Sequence, residues 1–154
     1  MPSGEERTIM IRVLYVSKPM PGLDRDSIEA LMAPVRERAL VHNAQHHLTG
    51  ALAYSETCFA QALEGDEAEV EALMAKIARD SRHSDLQIID RREVSNRAFP
   101  DWAMAFCPQD GFSAFDMPPR DLVRQLIEAA QYCNKVRAIP GFVPDADLKK
   151  AANG

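Results

Sequence analysis

The chain has 154 residues, 46% hydrophobic and 27% charged, with a formal net charge of −5. That length suits one domain with a formed core and a short appendage. The acidic balance and the lack of a long basic run argue against nucleic-acid binding, no apolar run approaches a membrane span, and "MPSGEERTIM" lacks the apolar core of a signal peptide.

Residues 1–8 are polar and read as a disordered tail. "IMIRVLYVSK" predicts a first strand with Ile9, Ile11, Val13, Tyr15 and Ser17 on one face. "PMPGLD" is a turn, and a helix follows from a cap at Asp24 or Asp26, with Ile28, Leu31, Met32, Val35 and Ala39 at helical spacing. Pro34 inside it predicts a kink or a broken turn, and the helix should end near Asn43. "LTGALAYS" and "CFAQALEG" form a hairpin about Glu56 and Thr57. A second helix starts at Asp66, with Glu69 placed as in a capping box, and ends between Asp80 and His83. "DLQIIDRREV" is a fourth strand. "DWAMAFC" is a fifth, with Trp102, Met104 and Phe106 on one face. "PQDGFSAFDMPPR" is a linker to one amphipathic helix bearing Leu122, Leu126, Ile127 and Ala130. The rest is a tail with room for one helical turn.

The order is β-α-β-β-α-β with an extra strand. It predicts an α+β, ferredoxin-like domain over 9–107, two helices on one sheet face, and a C-terminal helical extension over 108–154 free to cover the other.

Gln61 is awkward in this scheme, because alternation puts it on the core face with Phe59 and Leu63. A buried amide without partners costs about 1–3 kcal/mol. Tyr15 lies on the corresponding face of the neighbouring first strand, and Asn43 ends the first helix. Two readings stand: these groups satisfy one another, or they bond a planar polar ligand between the helices. Elsewhere the signals are weaker. His46 and His47 are adjacent and cannot both face one ion, so no metal is expected from the histidines. Cys58, Cys107 and Cys133 lack paired spacing and read as reduced thiols, with Cys58 and Cys107 filling the core. They fit a cytoplasmic protein. No glycine-rich phosphate loop is present. Arg82 and His83 read as a solvated helix end.

"VLYVS", "HNAQHHLTGALAYS", "CFAQALEGD", "IARDSRHSD" and "RAFPDWAMAF" stand in an order and spacing that resemble the BLUF family of flavin-binding blue-light sensors. The resemblance implies FAD as cofactor, lying between the two helices. It implies that Tyr15 gives an electron and a proton to the excited flavin, with Gln61 between that tyrosine and flavin N5 and C4=O. It further implies that Asn43 bonds the C4=O and N3 edge, and that Ser17 lies near the ring. Lys76 and Asp80 would lie towards the pyrimidine or ribityl side, His83 would match a family histidine, and Trp102 and Met104 would take part in signalling. Two departures are Pro34 and the small residues Ala60 and Ala62 flanking Gln61, which would loosen its packing; Lys76 is commonly an arginine in the family.

The function implied is a photoreceptor, not an enzyme, that signals through the Tyr15–Gln61–flavin hydrogen bonds. The stretch after Cys107 is too short for an effector domain, so output is expected through a separate effector protein, self-association into a homo-oligomer, or both. The alternative is a ferredoxin-like metabolite-binding module or small enzyme that shares only the topology.

Overall fold

The computed structural model describes residues 9–100, 102–109 and 111–136, with side chains as far as Gln131. The disordered tail expected over 1–8 and the helical turn expected in the C-terminal tail lie outside these residues. Strand β1 (Met10–Pro19) leads to helix α1 (Arg25–Gln45), then β2 (Thr49–Tyr54), β3 (Phe59–Asp66), α2 (Glu67–Ala78), β4 (His83–Glu93), β5 (Ala105–Pro108) and α3 (Pro119–Val136). They build one five-stranded sheet in the order β4-β1-β3-β2-β5. Of the four pairings between these strands, β2–β5 is parallel and the other three are antiparallel. This is the α+β ferredoxin-like arrangement with a fifth strand, and β1 and β3 are neighbours at its centre.

Alternation along the strands divides the core in two. Ile11, Val13 and Tyr15 of β1 and Phe59 and Leu63 of β3 face α1 and α2, where Ile28, Met32, Val70 and Met74 are buried against them. Leu14, Val16, Ala51, Ala53, Ala60 and Ala62 face the other way, and α3 covers them with Leu122, Leu126, Ala129 and Ala130. Alanines along the strands leave room for a helix to sit directly on the sheet. Ala60 and Ala62 are therefore closed under α3 and do not loosen the surroundings of Gln61, which points to the opposite face.

One local expectation, a cap at Asp24 or Asp26, is met and several others are corrected. Asp24 is the cap of α1, its Oδ1 accepting the Ser27 N–H at 2.8 Å. The helix passes unbroken through the exposed Pro34 and continues two residues past Asn43. Packing of Ile28 and Met32 before the proline and of Asn43 after it overrides the local break. Asp66 makes no side-chain cap bond, because it still belongs to the β1–β3 ladder, and the Glu67 N–H donates to Ile9 O at 2.8 Å instead. Glu69 reaches His46, not the helix start. α2 ends at Ala78, earlier than the Asp80 to His83 expected. The hairpin loop starts at Ser55, whose hydroxyl donates to Phe112 O at 2.7 Å. β5 is shorter than "DWAMAFC", so strand alternation does not extend back to Trp102. Met104 and Phe106 lie on the α1–α2 side, whereas Trp102 lies among the residues under α3.

Candidate functional site

The register makes Tyr15 and Gln61 direct cross-strand partners, which brings phenol and amide together on the α1–α2 face. Both are buried, and the Tyr15 hydroxyl donates to Gln61 Oε1. That leaves the amide nitrogen for Met104, with Nε2 3.4 Å from Sδ. A thioether is a weak acceptor, so this side of the amide is held loosely. Burial pushes the Tyr15 phenol well above its ordinary range, and the negative charge of Asp80 adds to the shift. The tyrosine therefore keeps its proton at any physiological pH.

Asn43 is buried in the last turn of α1. Its Nδ2 donates to Ala103 O at 3.1 Å, and its Oδ1 lies 3.3 Å from His42 Nδ1. His47 then takes a left-handed conformation (φ 55°), and the Leu48 N–H bonds back to Asn43 O at 2.8 Å, closing the helix end.

Tyr15, Gln61 and Asn43 all line one cavity of about 480 Å³ between α1 and α2. Leu31, Val35 and Ala39 form one wall, and Leu73 and Ile77 form the other. Lys76, Asp80 and His83 join the lining, with Arg38, His42 and Arg82. Asp80 is gripped by Arg82, which donates from Nε to Oδ1 at 2.9 Å and to Oδ2 at 3.1 Å. This bonding holds the Asp80 carboxyl down to about 2. His83 Nε2 donates to Ile77 O at 2.6 Å, and its Nδ1 lies 2.6 Å from Ser17 Oγ. Both ring nitrogens thus serve to tie the end of α2 to β1. Ser17 is fully buried behind His83 and does not line the cavity. Met104 and Trp102 do not line it either; Met104 backs Gln61, and the Trp102 Nε1–H has no partner among the described residues.

Arg82, expected as a solvated helix end, and Arg38 are cavity residues. Arg38 has a signal in the sequence: Leu31, Val35, Arg38, Ala39 and His42 recur at helical spacing, so the apolar stripe of α1 continues into nitrogen-bearing polar residues on the same face. Among the described residues no group of three metal-ligating side chains converges. Cys58 and Cys107 are buried.

The donor set fits a flat heteroaromatic ring. Apolar walls face each other, and among the described residues each of the two buried amides uses one N–H, leaving the second for the cavity they line. Such a ring would be read at its polar edge and held by its faces.

Comparison with known proteins agrees with this geometry. The family model BLUF, described as "Sensors of blue-light using FAD", matches residues 10–105, more than half of the chain. Photoactivated adenylate cyclase subunit beta of Euglena longa is 29% identical over 116 residues, which is 75% of this chain but only 13% of that protein. The BlsA photo-activated state superposes with a TM-score of 0.69 at 22% identity, covering 79% of this chain and 94% of that one. The dark state of BlrB, a BLUF protein, gives 0.61 at 21% identity, covering 94% and 96%. At these identities the two structures speak for the fold. No helix among the described residues is long and apolar enough to cross a membrane. The chain belongs to the BLUF family and is a flavin-binding sensor of blue light.

Proposed function

We propose that Tyr15 and Gln61 are the light-responsive pair of this sensor, with FAD as the flavin. When bound, the flavin supplies a blue-absorbing ring that takes up an electron and a proton on excitation. Tyr15 is neutral, buried and hydrogen-bonded through its hydroxyl to Gln61, so it can give up both transiently, the proton along that bond, and take both back once Gln61 has rearranged, with no net oxidation. Gln61 then exchanges which end of its amide meets which neighbour. The weak bond to Met104 Sδ makes that exchange cheap, and this is the single observation that carries the reading. Asn43 orients the ring edge. Lys76 and Arg38 at the cavity offer cations to a diphosphate, which supports FAD over a flavin without one. His83 holds the wall, with Ser17 behind it.

No substrate is turned over in this reading. The signal leaves through residues 102–104. The Ala103 carbonyl is bonded by Asn43, the Trp102 carbonyl accepts the Gly50 N–H at 3.3 Å, and the Trp102 ring lies in the cluster under α3. A rearrangement at Gln61 and Met104 therefore has a short path to α3, and from α3 to a separate effector protein or a second copy of the chain. The test is to purify the chain, identify the extracted flavin by chromatography, and record spectra before and after blue light. FAD with a red shift that reverses in the dark is expected. FAD-loaded protein whose spectrum ignores blue light would overturn the reading.

A further inference from the structure

We propose that His42 is a positioning residue for Asn43, braced by His46 and Glu69 across the end of the cavity; this rests on the reading that the cavity holds the flavin. Each hydrogen-bonded link is set by an atom that can only accept, and a ring stack joins them. The Ala103 carbonyl takes the Asn43 Nδ2–H at 3.1 Å, so Oδ1 must face His42. An amide oxygen accepts, so His42 Nδ1, 3.3 Å away, must carry its proton. The His42 ring stacks on His46, with centroids 4.4 Å apart and planes at 29°. His42 is in the last turn of α1, and His46, four residues on, is the residue that caps its C-terminal end. His46 Nδ1 lies 2.9 Å from Glu69 Oε1 in the first turn of α2, and a carboxylate likewise demands a proton there.

The brace fixes the polarity of Asn43. A flipped amide would set Oδ1 against the Ala103 carbonyl and Nδ2 against the His42 N–H, so both contacts would turn repulsive. What Asn43 offers the cavity is therefore one N–H and one lone pair in a single arrangement, suited to an edge that presents a carbonyl beside an N–H. His46 and Glu69 are 39% and 41% exposed, so their ion pair contributes little energy by itself. Its effect is to hold the His42 ring.

The test uses the flavin-loaded full chain with 15N-labelled histidine. His42 is expected as the Nδ1–H tautomer. His42→Phe keeps the stack and deletes the donor. It should weaken flavin binding about fivefold, the size of one net hydrogen bond, and move the dark absorption maximum. His42→Gln, which restores an N–H, should recover most of both, and Glu69→Ala should give a smaller shift in the same direction as His42→Phe. An Nε2–H tautomer at His42 would overturn the proposal. So would His42→Phe and His42→Gln lowering thermal stability alike while flavin affinity and absorption stay unchanged, because that is the signature of a helix end alone. A wild-type chain without flavin would sink the parent reading instead, and the tautomer measured on that sample would still decide the His42–Asn43 contact.

Discussion

Ala60 and Ala62 of β3 are fully buried beneath α3, whereas Phe59 and Gln61 of the same strand border a cavity of about 480 Å³ between α1 and α2. The alternation that puts small residues on one face puts a polar amide on the other. Small side chains let a helix sit directly on the sheet, and Leu122 and Leu126 are fully buried there. On the opposite face Tyr15 and Gln61 bond each other, and Leu31, Val35, Leu73 and Ile77 stay half-buried around a space. The closed face supplies stability, and the hollow face keeps apolar walls and spare hydrogen-bonding capacity for an occupant.

The contrast can be broken by paired truncations. Leu126→Ala on the closed face should cost about 2–5 kcal/mol in urea unfolding, because nothing can collapse into the gap. Val35→Ala on the hollow face should cost under about 1 kcal/mol, since the side chain is only partly buried, while weakening flavin binding. Equal losses would show that the two faces do not differ as described. Glu64 tests how the closed side is fastened. Its buried carboxylate accepts the Ala98 N–H at 2.7 Å and the Phe99 N–H at 2.9 Å, so it pins the chain that leads to Trp102. Glu64→Ala should cost about 1–3 kcal/mol, measured in the same way.

On the hollow side, Asn43→Ala should lower flavin affinity about tenfold, read by flavin retained after dialysis. Unchanged retention would place Asn43 outside the binding edge. Asp80 sharpens the comparison through pH. Its folded carboxyl is held down to about 2 against an ordinary 3.8, chiefly by Arg82. A depressed carboxyl favours the folded state above its ordinary range, and that contribution fades as pH falls from about 4 through 2. Wild type should thus exceed Asp80→Asn in stability at neutral pH by a small margin that disappears near pH 2. A margin that stays constant over that range would contradict the bond to Arg82.

The Tyr15–Gln61 pairing was legible in the sequence because strand alternation holds through β1 and β3, and the ferredoxin-like order makes those strands neighbours. Asn43 was legible as a polar group at the end of the first helix, but its place at a ring edge came from the family resemblance, since helical spacing says nothing of which way a buried amide in a last turn points. Trp102 was assigned to the wrong face because residues 102–104 precede the β5 ladder, which begins at Ala105, and alternation has no force outside it. Glu69 looked like half of a capping box, but its actual partner, His46, caps the end of α1, a contact no local pattern contains. Arg82 was read as solvated because a cation after a helix end ordinarily is, and Arg38 was passed over although it continues the apolar stripe of α1; the gap between α1 and α2 gives the two a shared space.

The central claim is that the Tyr15 hydroxyl, bonded to Gln61, drives the response to light. The direct measurement is the light-minus-dark absorption spectrum of Tyr15→Phe beside wild type, at matched flavin occupancy. The change deletes one oxygen and keeps the ring packed against β3. Wild type should show a reversible red shift, and Tyr15→Phe should bind flavin normally and show none. A Tyr15→Phe protein with the full wild-type shift would contradict the account.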